Sequence, residues 1–150
     1  MGKKKATVML DEALERVIEV STCVGRVQSC KEALEKALQK MAASTDEAIW
    51  RKEGLQFQKT HDDLKKYYGG NWDSLCVSLI KKCEEVVKYC AENKKKHSKR
   101  KGLGKSLDTI AGKASDTKSI VSESRDVLTK FGPFVEKMAD SRKLLDSALS

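Results

Sequence analysis

The chain has 150 residues, 35% of them charged, with one proline, nine glycines, few aromatics and a formal net charge of +8. That length fits a single domain able to bury roughly 70% of the surface its unfolded chain exposes, and the composition is that of long helices, which excludes turn-rich sandwiches and barrels. No apolar run approaches the length of about 18 residues that a spanning helix needs, and Met-Gly-Lys-Lys-Lys-Ala leads straight into amphipathic sequence without the apolar core of a secretory signal.

The first periodic segment runs from about Leu10 to Met41. Leu10, Ala13, Val17, Val20, Val24, Val27, Leu34, Leu38 and Met41 recur at steps of three and four, broken only by Lys31. Such a helix is longer than any later one, so a break near Thr22–Gly25 or an overhang is expected. Ser44-Thr45-Asp46-Glu47 reads as a capping box with Ser44 as the cap. It opens a second helix whose weaker stripe is Trp50, Gly54, Phe57, His61, Leu64 and Tyr68 and which stops on a left-handed turn at Gly69-Gly70.

A third helix starts near Asn71–Asp73 and carries the cleanest seam, Trp72, Cys76, Leu79, Cys83, Val86 and Cys90. After Asn93 the pattern gives way to a solvated basic connector, 94–105. The last region places Leu107, Ile110, Ala114, Val121, Leu128, Phe131, Val135, Met138, Leu145 and Leu149 on one line, with polar exceptions at Thr117, Ser124 and Arg142. Pro133 removes a backbone donor, so the helix is expected to kink there or to restart with Pro133 in its first turn. Short connections favour antiparallel neighbours. The expected fold is all-α, an antiparallel four-helix bundle (up-down-up-down) with a Pro-kinked or separate fifth helix at the C-terminal end, in one domain over 1–150. The heptad is still running at Leu149, which points to the N-terminal part of a longer polypeptide.

The positive charge is local. Lys94, Lys95, Lys96, Lys99, Arg100, Lys101 and Lys105 fall in one acid-free stretch, and Lys3, Lys4 and Lys5 add three more. Together they exceed the whole net charge, so the remaining sequence is slightly acidic and mixed, as solvated helix faces are.

Five cysteines, an odd number, point to reduced thiols inside the cell. Their spacing of seven along a helix is roughly 10 Å, whereas two thiolates on one zinc lie within about 4 Å; core packing is the expectation, with no metal. Gly102-Leu103-Gly104-Lys105-Ser106 ends like a phosphate-binding loop, but position 99 is lysine where that motif needs glycine, and the segment follows a helix rather than a strand. His61 with Cys83 makes a poor catalytic dyad without a nucleophile elbow or oxyanion pocket. Gly2 ahead of the lysines resembles a myristoylation signal, but Ala6 stands where Ser or Thr is required. The tyrosines are not interleaved with the basic run, which argues against a base-stacking platform.

What remains is a non-enzymatic interaction or signalling bundle without cofactor or small-molecule substrate. It docks through the seven basic residues of 94–105 on anionic membrane surface, and through its helix faces on partner helices or on a second copy. The alternative is a nuclear or nucleic-acid-associated protein gripping phosphate backbone non-specifically through the same residues. The expected location is cytoplasmic, at the membrane periphery, or nuclear.

Overall fold

The computed structural model describes residues 2–150, with every side chain among them except that of Lys101. The fold is all-helical, with no strand among the described residues. Among the described residues five helices follow one another: α1 (Gly2–Ala43), α2 (Glu47–Tyr68), α3 (Trp72–Lys96), α4 (Lys101–Lys130) and α5 (Gly132–Leu149). Among the described residues, no helix is long and apolar enough to cross a membrane.

α1 is unbroken over 42 residues. Neither a break at Thr22–Gly25 nor an overhang is found, because each half of the helix has its own partner. Its start lies eight residues ahead of Leu10, so Lys3, Lys4 and Lys5 are helical rather than a tail. Gly25 sits mid-helix with open space around the position of a Cβ. Lys31, the one polar break in the stripe, extends over two rings, its Nζ 5.7 Å from the centroid of Phe131 and 5.5 Å from that of Phe134.

The contacts of the chain group it into two compact units. The first comprises residues 1–21 and 71–126, that is, the first half of α1 with α3 and most of α4. Ala6, Leu10, Val86, Cys90, Leu107, Ile110 and Ala114 form one buried cluster there, and Ala13, Val20, Cys76, Leu79, Cys83 and Val121 another. Ion pairs on the rim fix directions. Glu12 meets Lys82 while Lys5 lies over Tyr89, and Lys94, Glu84 and Asp73 meet Asp108, Lys118 and Arg125, so α3 runs antiparallel to both α1 and α4.

The second unit comprises 22–70 and 127–150. Val27, Cys30, Leu34, Phe57, Leu64, Leu128, Met138 and Leu145 are buried in it. Lys40 and Cys23 of α1 meet Glu53 and Tyr67 of α2, and Gln58 and Asp62 of α2 meet Asp146 and Arg142 of α5, so α2 runs antiparallel to α1 and to α5. Gly54 lets α5 come close: a Cβ there would lie 3.3 Å from a Leu145 methyl.

In the first unit α3 lies antiparallel to segments of α1 and α4, and in the second α2 lies antiparallel to segments of α1 and α5, so the expected four-helix up-down-up-down packing is not confirmed. The physical reason is length. α1 is long enough to supply a strip of core to both units, whereas α2 and α3 each serve one.

Helix ends differ from expectation in chemistry more than in place. Asp46 caps α2 by accepting from the Ala48 amide at 2.9 Å, and Ser44, the expected cap, accepts from Asp46 N at 3.1 Å. Gly69 closes α2 with φ −77°, not left-handed. What demands glycine there is space, since a Cβ would stand 2.5 Å from the Lys65 carbonyl oxygen. Pro133 lies in the first turn of a separate α5. Near that junction the Tyr68 hydroxyl donates to the Leu128 carbonyl at 2.9 Å.

Candidate functional site

The basic residues expected on a connector lie mostly on helices. α3 continues through Lys94, Lys95 and Lys96 and α4 begins at Lys101, so the irregular segment is His97–Arg100, not 94–105. It is a tight turn, with the Arg100 amide donating to the His97 carbonyl at 2.9 Å. Lysine has good helix propensity and, at the last turn of α3, faces the negative end of the helix dipole, so nothing stops that helix at Asn93. Gly102-Leu103-Gly104-Lys105-Ser106 is helical as well. The Gly104 amide donates to the Arg100 carbonyl at 3.2 Å, a bond along the helix axis, and the segment has the course of a helix start, not of a strand-to-helix phosphate loop.

Within the first unit, the start of α1 lies against the end of α3. A Cβ on Gly2 would be 3.0 Å from the Asn93 side-chain oxygen, and Lys5 Nζ is 5.1 Å from the centroid of the Tyr89 ring. Lys3, Lys4 and Lys5 therefore share one end of this unit with Lys94, Lys95, Lys96, Lys99, Arg100 and Lys105. The sequence separates these groups by about ninety positions, and only the antiparallel pairing of α1 with α3 joins them. The side chain of Lys101 lies outside the described ones.

The end is exposed at each of these nine cations. Lys94 is paired with Asp108, its Nζ 2.8 Å from the carboxylate. Among the described residues no carboxylate is within ion-pair distance of Lys95, Lys96, Lys99, Arg100 or Lys105. The N-termini of α1 and α4 add partial positive charge here. Two side chains soften the surface: Val8, exposed, and Tyr89, half-buried, which border a shallow open depression with Lys4 and Lys5. Tyr89 lies beside Lys4 and Lys5 and outside the 94–105 run, which itself holds no aromatic. That pairing arises between helices, so the spacing along the chain gave no sign of it.

A second polar cluster, unforeseen as a unit, lies in the second unit. Arg142 Nη1 donates to the Gln58 carbonyl at 3.0 Å and to Asp62 at 2.9 Å, and Nε donates to Asp146 at 2.8 Å. The buried His61 stacks on Phe57 with ring planes 5° apart. Its Nε2 is buried and has no hydrogen-bond partner among the described residues. Burial first, then the charges of Arg142 and Lys65, holds the imidazole below its ordinary pKa, with Asp62 and Asp146 opposing. His61 belongs to the second unit and Cys83 to the first.

The thiols of Cys30, Cys76, Cys83 and Cys90 are buried and that of Cys23 is half-buried. Burial is the first cause that raises the pKa of Cys23, Cys30, Cys83 and Cys90, leaving weak nucleophiles. Among the described residues no group of three His, Cys, Asp or Glu is placed to hold a metal ion.

Comparison with known proteins gives no matching family model, no matching curated protein and no matching solved structure.

Proposed function

We propose that the chain is a non-enzymatic helical interaction and signalling domain that docks on anionic membrane surface by the basic end of its first unit. The observation that carries this reading is the convergence of Lys3, Lys4 and Lys5 with the 94–105 cations on one exposed end. Clusters of four to eight Lys/Arg gain about 1 kcal/mol each beside an anionic leaflet. Counting Lys94 as largely satisfied by Asp108, the remaining cations are more than enough for binding that depends on lipid charge and on salt. Val8 and Tyr89 favour a lipid headgroup region over a nucleic-acid backbone, because an apolar side chain and an amphipathic ring suit the wet–apolar boundary of a bilayer.

Partner helices form the other half of the reading. Ile18 of α1, Leu55 of α2, Ile120 of α4 and Leu144 of α5 are half or more exposed, which gives several helix faces apolar side chains open to another protein or to a second copy.

Flotation with neutral and with phosphatidylserine-containing vesicles tests the membrane reading, with duplex DNA added at matched salt. Retention on anionic vesicles in the presence of excess DNA is expected. A second protein, with Lys95, Lys96, Lys99, Arg100 and Lys105 replaced by Ser, should stay behind. Equal retention of the two proteins, or transfer of the first to DNA, refutes the reading.

A further inference from the structure

Ser98 stands at the centre of the basic end, in the one irregular segment of it, and its surroundings are those of a modification site. Resting on the membrane reading above, we propose that Ser98 is phosphorylated by a serine/threonine kinase that selects basic residues two and three positions upstream, and that the phosphate releases the domain from anionic lipid.

Two residues of the chain have lysines at both positions: Thr7, after Lys4 and Lys5, and Ser98, after Lys95 and Lys96. The structure separates them. Thr7 lies within α1 and its hydroxyl donates to the Lys3 carbonyl at 2.8 Å, so a kinase would have to unwind the helix to reach it. Ser98 is exposed on the His97–Arg100 turn. Among the described residues its hydroxyl makes no hydrogen bond. Drawing this turn into a kinase cleft costs the Arg100–His97 bond and the last turn of α3, which carries Lys95 and Lys96 and opens more readily than a helix interior.

The chemistry needs ATP and the kinase. Ser98 Oγ attacks the γ-phosphorus, the Oγ–P bond forms as the bond from phosphorus to the β,γ-bridging oxygen breaks, ADP leaves, and the hydroxyl proton passes to the kinase's base. The product carries nearly two negative charges and three acceptor oxygens. Ser98 borders one depression with Lys94 and Asp108 and another with Arg100 and Lys105. A phosphate on Ser98 therefore engages the very cations that would face lipid, and it repels the leaflet by its own charge.

The test treats the whole chain with such a kinase and ATP, maps the phosphorylated residue by mass spectrometry, and measures retention on phosphatidylserine vesicles before and after. Phosphate on Ser98, loss of most incorporation in Ser98→Ala, and vesicle affinity lowered at least about tenfold are expected. Phosphate on Thr7 in place of Ser98 overturns the proposal. So does full modification of Ser98 with affinity changed less than about twofold. Unmodified protein that ignores anionic vesicles overturns the membrane reading and the release together, whichever residue carries phosphate.

Discussion

Arg142 Nη1 lies 3.2 Å from the Nδ1 of His61. The two hydrogens of Nη1 serve the Gln58 carbonyl and Asp62, so the guanidinium acts on the ring through its charge, which together with burial disfavours the imidazolium. The arrangement has no room for a second positive charge. In the unfolded chain His61 protonates near its ordinary value of 6.5, whereas in the fold it does so at lower pH. Between those two values the unfolded state binds more protons, so stability is full above 6.5 and is lost as the pH falls through that interval. Thermal melts between pH 8 and 5 should show this decline, and His61→Gln should flatten it. Asp146, held below the ordinary carboxylate range by its bonds to Arg142 and Gln58, adds a separate loss at lower pH, because it protonates first in the unfolded chain. Arg142→Ala removes the whole cluster and should cost about 1.5–3 kcal/mol in urea unfolding at neutral pH.

Gly25 and Gly112 are exposed within α1 and α4 and have nothing within 4 Å of a Cβ position. Helical glycine is disfavoured against alanine by about 0.5–1 kcal/mol. Gly25→Ala and Gly112→Ala should each raise Tm by a corresponding amount, with additive effects, since the two sites fall on different helices. A drop in Tm for either would mean that the helix bends there.

Phe57 is 0% exposed and Leu55, two positions earlier, is 60% exposed. Phe57→Ala should cost about 3–5 kcal/mol through lost transfer energy and a cavity. Leu55→Ser should leave stability within about 0.5 kcal/mol. Chemical denaturation of the two variants checks which face of α2 is inside.

Thiol chemistry gives an independent view of the interior. Cys23 is the most open of the five, its thiol directed at the Tyr67 carbonyl at 3.6 Å. A disulfide reagent at pH 8 should modify Cys23 first, and Cys76, Cys83 and Cys90 only at the rate of global or local unfolding. Above about pH 9 the thiols of the unfolded chain ionise while the buried ones resist. Stability should therefore fall as pH rises further.

Most helices could be read from the sequence because burial imposes its period directly. Five of the six residues on the α3 seam, Cys76 to Cys90, are buried, and Trp72 is half-buried. Polar interruptions were legible as positions and not as roles. Thr117 is buried with its hydroxyl turned back onto the Lys113 carbonyl at 2.7 Å, and Arg142 anchors α5 to α2. The number of segments packed together was not legible, since periodicity shows that a helix has an inner face without saying how many neighbours that face meets along its length. The candidate site was half visible. Each basic cluster stood out in the chain, but their meeting depends on Lys5 reaching Tyr89, a contact between helices that no local pattern encodes.

Cations crowded on one end of a small unit repel one another, and the buried cluster that includes Leu10, Cys90 and Leu107 holds them together against that repulsion. The fold therefore carries a built-in tension that counter-ions relieve. Added salt, which weakens most proteins' surface ion pairs, should tighten this one, and a polyanion such as inorganic polyphosphate should raise its melting temperature at concentrations far below those of simple salts.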